Sequence, residues 1–290
     1  MSNMIINTNV LALNAHRAMK NVSATQTQAS GRLSSGLRIN SAADDAAGLA
    51  ISEKMRAQIR GLDMASKNAQ DGSSMVQTAE GGMQQIDNMI QRMRELTVQA
   101  ANDTNDEKDR GKIAQEMHNL FEEIDSMANR VEFNGKKLIN GSYSAKNSIY
   151  LQVGANALQS IRFSINSMSV SGLGLSALAS TVSAAAASTS GIWSDTGSTI
   201  DSYLDSFDSA LRTVTDERAK LGAIQNRLEY TMKSLDISSE NLSASESRIR
   251  DADMAKEMMT LTKTNVLSQA ATSMLAQANQ APQNILSLLR

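Results

Sequence analysis

Apolar residues recur at every seventh position along two long stretches of the chain. In the second half the repeat holds without interruption at Ile200, Phe207, Val214, Leu221, Leu228, Leu235, Leu242 and Ile249. In the first half, an alternating spacing of three and four residues selects fourteen positions between Met55 and Ala100, of which eleven are apolar. A sustained seven-residue repeat places one stripe of side chains along an α-helix that packs as in a coiled coil. The sequence therefore predicts two long helices that pack against each other.

The first long helix is expected over residues 43–100. Ser41 and Asp44 have the spacing of a capping arrangement at its start, and its length would be about 87 Å at ~1.5 Å per residue. A polar turn at 102–106 then precedes a shorter helix, whose apolar stripe is Ile113, Met117, Leu120, Ile124 and Met127. Three helices can therefore share one seam.

The periodicity changes after residue 130. Asn134-Gly135 and Asn140-Gly141 are strong turn dipeptides, and apolar residues then alternate at 149–153 and 161–165. This predicts a small hairpin region over about 133–165. Residues 166–197 are rich in Ser and Ala, and a flexible or loosely folded surface segment is the expectation there rather than a membrane helix.

The chemical inventory argues against catalysis and against cofactors. The chain has no cysteine and only two histidines, His16 and His118, which do not form a metal-ligand motif. The glycines of Gly31–Gly36 imitate a phosphate-binding loop, but Leu37 stands where that loop needs lysine, so a helix end followed by a turn is the better interpretation. We expect no enzyme activity and no metal.

The chain has few aromatic residues, nine among 290, and a net charge of −2. Compact cores normally use more aromatic side chains, so the composition favours narrow seams between helices. The weak charge gives no field that would attract nucleic acid or acidic membranes. The first residues lack the pattern of a cleaved secretory signal, so if the chain is exported, we expect export without one.

Both chain ends lack charged side chains, over residues 1–16 apart from the terminus and His16, and over 264–289. Helices that face solvent usually carry Glu and Lys, whereas the centres of protein interfaces are depleted of charge. Pro282 is expected to break or bend the last helix. We interpret the ends as a protein interface that includes Ile6, Val10, Leu13, Leu267, Ala271, Met274, Ala278, Ile285, Leu286, Leu288 and Leu289.

Several segments resemble the signature segments of bacterial flagellins, in the order found in that family. They are MIINTNVLALNAHR, RLSSGLRINSAADDAAGLAIS, QRMRELTVQAAN, FNGKKL, VGANA, RIRDADMAKEM and QAATSMLAQANQAPQNILSLLR. The resemblance implies a mainly α fold: a long antiparallel helical rod with a small hairpin region and paired terminal helices. It implies an inner domain from 1–42 with 253–290, a rod domain from 43–165 with 198–252, and a short surface segment at 166–197 in place of large variable domains.

The resemblance also implies function and partners. A flagellin polymerises into the extracellular flagellar filament for motility, after export in unfolded form by the flagellar type III apparatus. Its partners would be further copies of itself, the flagellar cap, hook-associated junction proteins and an export chaperone at the C-terminal helices. The host Toll-like receptor for flagellin would contact Arg92, Leu96 and Glu116, with Leu96 expected to be exposed among charges.

Two alternatives share these features. A hook-filament junction protein has similar ends but forms no long filaments. A helical secreted adhesin or effector would have ordered termini in the monomer. Seeded polymerisation distinguishes the first alternative, and limited proteolysis of the termini distinguishes the second.

Overall fold

The computed structural model describes residues 9–187 and 197–288. Within these residues the helices are α1 (Val10–Ser35), α2 (Ala46–Ala100), α3 (Glu107–Arg130), α4 (Ser176–Ala187), α5 (Gly197–Asp201), α6 (Tyr203–Arg250) and α7 (Met254–Leu288). The strands are β1 (Glu132–Phe133), β2 (Lys136–Lys137), β3 (Ile149–Gln152) and β4 (Ser160–Phe163). The predicted fold class, long helices with a small hairpin region, is confirmed.

The chain divides into two compact units. Unit 1 comprises Met1–Ile59 and Glu240–Arg290, and unit 2 comprises Arg60–Ser239. Both boundaries fall inside long helices, α2 and α6. The division inferred from sequence, at 42/43 and 252/253, follows the breaks between helices and stays a prediction about functional domains.

The core of unit 2 is built from the seven-residue repeats. Six of the eight repeat positions in the second half, from Ile200 to Leu235, are buried. On α2 the predicted stripe is buried from Ala65 to Ala100, and on α3 Phe121 stacks on Phe207 of α6 with ring centroids 6.3 Å apart. The three helices share one seam, as predicted. Ile200 belongs to the short helix α5, so the last long helix begins at Tyr203.

Two hairpins pack beside α2, and both lie at about 133–165, where the sequence predicted a small hairpin region. Strands β1 and β2 are joined by Asn134 and Gly135 at φ of 50° and 73°, values that a two-residue type I′ turn requires. Strands β3 and β4 pair antiparallel, with Ile149 opposite Phe163. The hairpins approach α2 closely at its glycines, since a side chain at Gly72 would meet Leu151 at 2.4 Å.

The prediction of a loosely folded surface segment at 166–197 is wrong for residues 166–187. Helix α4 packs on α3, and the segment buries Met168, Val170, Leu173, Leu175, Leu178 and Val182. The Val170 amide donates to the Asp125 carboxylate of α3 at 2.8 Å. Large apolar residues spaced among the Ser and Ala residues supply this buried face, a pattern that overall composition conceals. The rest of the segment, 188–196, lies outside the described residues.

The capping arrangement predicted for α2 is also corrected. Helix α2 begins at Ala46, and the Asp45 carboxylate accepts from the Gly48 amide at 2.9 Å. Asp44 instead organises the preceding turn, where its carboxylate accepts from the amides of Ser41 and Asn40 and from the Ser41 hydroxyl. The amide of Ser41 contributes most to lowering the pKa of Asp44 below its usual value.

Candidate functional site

Helices α1 and α7 of unit 1 pack together along their length in an antiparallel pair. The Asn9 side chain donates to the main-chain carbonyl of Ala278 at 2.7 Å, and the Gln26 side chain donates to the side-chain oxygen of Asn265 at 2.7 Å. Arg32 forms an ion pair with Glu257 at 3.2 Å. Residue numbers rise on α1 as they fall on α7, so the first and last helices of the chain run in opposite directions.

The seam between the two helices is lined mainly by small residues. On α1 it follows Ala12, Ala15, Met19, Val22, Gln26 and Ala29. On α7 it follows Glu257, Leu261, Thr264, Ser268, Ala271, Leu275 and Ala278. Both series repeat after seven residues, as in a coiled coil. Small side chains let the helix axes approach closely, but they bury little apolar area between the two helices.

One asparagine connects the two helices at the end of the seam. The Asn9 side-chain oxygen accepts from the Ala12 amide and so caps α1, while its nitrogen donates to Ala278 on α7. Ala278 is four residues before Pro282, which has no N–H to give that carbonyl its helical hydrogen bond. Asn9 therefore supplies the bond that Pro282 withholds. Pro282 does not break the last helix, because α7 continues to Leu288, and a bend at Pro282 stays a prediction.

The other end of the pair is fastened by main-chain and ionic contacts. Helix α1 ends at Gly36, whose φ of 71° suits glycine, which confirms the turn predicted there. Leu37 forms a β-bridge with Asp251, and Ala252 donates to the Gly36 carbonyl at 2.9 Å. Arg250, mostly buried, pairs with Glu53 of α2. These contacts fix the two turns that lead into α2 and α7.

The predicted self-assembly residues fall into three groups. Ala271 and Ala278 are half-buried in the seam with α1. Val10, Leu13, Leu267 and Met274 point away from it and are 51%, 56%, 43% and 61% exposed. Ile6 and Leu289, and the side chains of Ile285, Leu286 and Leu288, lie outside the described residues.

The structure adds exposed apolar residues that were not selected from the sequence. Leu11, Met258, Met259 and Val266 are 68%, 52%, 67% and 61% exposed. Met259 and Val266 are seven residues apart, so a second apolar line runs along α7 away from α1. The sequence signal was present as a second seven-residue spacing, but the stripe at 267–278 hid it.

The second predicted contact surface involves Arg92, Leu96 and Glu116 in unit 2. Arg92 donates to Glu116 of α3 at 2.9 Å and to Glu95 at 3.1 Å. The hydrogen bond to Glu116, the largest cause, raises the pKa of Arg92 above its usual value. The expected exposure of Leu96 is wrong, because Leu96 is 2% exposed and belongs to the core. Leu96 is part of the same apolar core as buried residues of α3 and α6.

Within the described residues, no cluster of His, Asp and Glu side chains is placed to hold a metal ion. The two histidines lie on different helices, α1 and α3. In the same residues, no helix combines the length and the apolar character that crossing a membrane requires.

Comparisons with known proteins identify the family. Residues 6–144 match the bacterial flagellin N-terminal helical region, and residues 204–289 match the bacterial flagellin C-terminal helical region. The chain belongs to the bacterial flagellin family. It is 50% identical to a flagellin of Bacillus subtilis and 49% identical to one of Halalkalibacterium halodurans, with 99% of this chain and 100% of each relative covered. The predicted resemblance is confirmed over nearly the whole chain.

Further relatives agree with a filament role. A flagellar filament 33 kDa core protein of Treponema phagedenis is 44% identical over 99% of this chain and 100% of its own length. The chain is thus a structural subunit of the flagellar filament, an extracellular assembly. A solved flagellar hook-associated protein from Vibrio parahaemolyticus shares the fold at a TM-score of 0.59, covering 72% of this chain and 100% of that one. Its 12% identity shows the fold alone, so it does not favour the junction-protein alternative.

Proposed function

We propose that subunits of this flagellin join through the sides of α1 and α7 that face away from their shared seam. The observation that carries the proposal is the row of exposed apolar side chains there, including Val10, Leu13, Val266, Leu267 and Met274. Burying such side chains between subunits stabilises a polymer by ~25 cal/mol per Å² of apolar area. The exposed apolar side chains of this helix pair are therefore more stable when buried against neighbouring copies than when left in water.

Charge distribution supports the same surface. No charged side chain occurs from residue 264 to 289, so packing this part of α7 against a neighbouring copy buries none of its own charges. Unit 2 differs, since its exposed positions carry ion pairs such as Arg94 with Asp208 at 2.8 Å. Ile285, Leu286, Leu288 and Leu289 belong to the proposed surface through their sequence pattern.

Glutamate substitutions test this surface. Leu267→Glu and Met274→Glu place a charge on the outward side of α7, where it would have to be desolvated on assembly. We expect both variants to keep the helical content of the monomer but to form no filaments in seeded polymerisation. Ser180→Glu is the matched control, because it adds the same charge at an exposed position of α4 in unit 2. Normal filaments from either α7 variant would contradict the proposed surface.

A terminal deletion tests the last residues. Removal of residues 284–290 takes away the aliphatic cluster and should leave unit 2 folded while filament growth stops. Long filaments from this variant, seen by electron microscopy, would remove these residues from the surface. Limited proteolysis provides an independent measurement, since α1 and α7 should be cut in monomers and protected in the polymer.

The resemblance carries finer proposals about domains, export and partners. Residues 1–42 with 253–290 would form an inner domain, and residues 43–165 with 198–252 a rod domain. The subunit would leave the cell unfolded through the flagellar type III apparatus with a chaperone on its C-terminal helices, and would assemble beneath the cap on hook-associated proteins. A chain without cysteine has no disulfide to hinder such passage. Isolation of a chaperone complex with α7 intact, and its loss on truncation, tests the chaperone contact.

A host Toll-like receptor for flagellin remains a proposed partner through Arg92 and Glu116. Their side chains are 50% and 48% exposed and form one ion pair on α2 and α3. Leu96 is buried, so its role would be to position Arg92 rather than to contact the receptor. Arg92→Ala should weaken receptor activation, whereas Arg94→Ala, which removes a comparable surface ion pair with Asp208, should not. Equal effects of the two variants would contradict this assignment.

A further inference from the structure

The loop between β3 and β4, residues 153–159, is held rigidly by its own side chains. The side-chain amide of Gln152 donates to the main-chain carbonyls of Gly154 and Asn156 at 2.9 and 2.7 Å. The Asn156 amide donates to the Gln159 side chain at 3.0 Å. On its inner side Ala155 packs directly on Gly61 of α2. The loop is therefore a preorganised element.

One residue of this rigid loop, Leu158, has an unfavourable main-chain conformation and an exposed apolar side chain. Leu158 has a φ of 69°, in the left-handed region that favours Gly and Asn. Its side chain is 93% exposed, so no contact within the chain offsets the strained backbone. Strain of this kind, held by surrounding hydrogen bonds, points to a role outside the monomer.

A cavity of about 370 Å³ lies in the same unit, between α2 and the two hairpins. Met75, Phe133, Tyr143, Ile149 and Leu151 give it an apolar lining that includes aromatic rings. Asp71, Asn134, Lys136 and Ser148 supply its polar groups. Apolar cavities with a few polar groups are typical binding sites for a compact apolar group.

Leu158 does not fill the cavity of its own chain. The loop rests on α2 at Gly61, whereas the cavity touches α2 at Asp71, Gly72 and Met75. These positions are about 15–21 Å apart at ~1.5 Å per residue. The apolar group and the apolar cavity therefore occupy different places on one unit.

We propose that Leu158 of one subunit inserts into the cavity formed by α2 and the hairpins of a second copy of this chain. A contact between two different patches of identical subunits is heterologous, and it generates an open helical polymer when it does not close into a ring. That symmetry fits a filament, so the proposal rests on the filament role of this chain. The strained, rigid loop then reduces the ordering cost of docking.

Substitution of Leu158 by asparagine tests the contribution of this contact. Asparagine tolerates the left-handed conformation but lacks the apolar side chain, so the monomer should stay folded by circular dichroism. The critical concentration for seeded polymerisation should rise about 10- to 100-fold, the factor expected for losing one buried leucine. An unchanged critical concentration would overturn the proposal. Wild-type protein that does not polymerise would instead overturn the filament role itself.

Cysteine crosslinking tests the location, because the chain has no native cysteine. A double variant with Leu158→Cys and Ser148→Cys places one thiol on the loop and one beside the cavity. Since a disulfide requires Cα atoms about 4.4–6.8 Å apart, oxidised filaments should give a ladder of covalent oligomers and oxidised monomers should give none. Leu158→Cys with Ser180→Cys is the control and should give no ladder. Filaments without a ladder in the first variant would show that Leu158 contacts another surface.

Discussion

Alanine substitutions at two glycines of α2 should change the stability of unit 2 in opposite directions. Gly61 and Gly81 both lie inside this helix, where replacing Gly by Ala stabilises by about 0.5–1 kcal/mol. At Gly81 a new Cβ would meet no atom within 4 Å, so the full gain should appear. At Gly61 it would lie 2.7 Å from the Cβ of Ala155 and 3.2 Å from its Cα.

Ala155 cannot move aside cheaply, because Gln152 and Gln159 hold the main chain of its loop. Overpacking against such a fixed neighbour costs about 1–3 kcal/mol. Gly61→Ala should therefore be about 1–3 kcal/mol less stable than Gly81→Ala, and between neutral and about 2 kcal/mol less stable than wild type. Urea unfolding followed by circular dichroism measures both differences.

A double-mutant cycle identifies the responsible contact. Ala155→Gly removes the Cβ that obstructs the new methyl group, so it should restore part of the stability lost by Gly61→Ala. The coupling free energy of the pair should then exceed about 0.5 kcal/mol. Equal stabilisation by Gly61→Ala and Gly81→Ala, with no coupling to Ala155, would refute the argument that glycine is present at 61 to admit the loop.

Three further predictions concern single side chains. Asn9→Ala should destabilise the α1–α7 pair by about 1–3 kcal/mol in hydrogen exchange, because a helix cap is lost and the Ala278 carbonyl loses its partner; the exposed Asn14→Ala on the same helix should change it by less than about 0.5 kcal/mol. Ile90→Ala, at a fully buried position, should lower the unfolding free energy of unit 2 by about 2–5 kcal/mol, and a loss below about 1 kcal/mol would contradict the assigned core. Because folding lowers the pKa of Asp44, its carboxylate stabilises the fold at pH above about 4 and loses this effect as pH falls through the lowered value. Asp44→Asn should therefore flatten acid unfolding below about pH 4, and an unaltered acid profile would remove Asp44 from that transition.

Sequence periodicity predicted the helices well because the same residues make the pattern and the core. The stripe from Ala65 to Ala100 and the repeat from Phe207 to Leu235 are buried where the spacing placed them. A seven-residue repeat leaves little choice about which side of a helix faces its partner. The turn at Asn134-Gly135 was equally determined by local chemistry, since few other dipeptides adopt two successive positive φ values.

The wrong predictions arose where the buried face of a helix is wider than one stripe, where a distant residue supplies a hydrogen bond, or where overall composition conceals the spacing of apolar residues. Leu96 was placed on the surface because one stripe of α2 was considered, whereas the buried face of α2 is wider than that stripe and includes Leu96. Pro282 was expected to break or bend α7, but the helix continues past it, and the Asn9 side chain donates to the Ala278 carbonyl that has no donor from Pro282. Asn9 and Ala278 are far apart in the sequence, so a local pattern could not predict their contact.

The two units differ in how much of their apolar surface the monomer buries. Among the described residues of unit 1, the buried apolar side chains are Ala29 and Ile39, whereas unit 2 contains an extensive core. The α1–α7 seam contributes to this difference, because about half of its residues are small and several large apolar side chains, such as Leu13, Leu267 and Met274, lie outside it. Burying those outward side chains would stabilise the free subunit. Their outward position sacrifices monomer stability in unit 1, and contact with neighbouring copies in the filament would recover it.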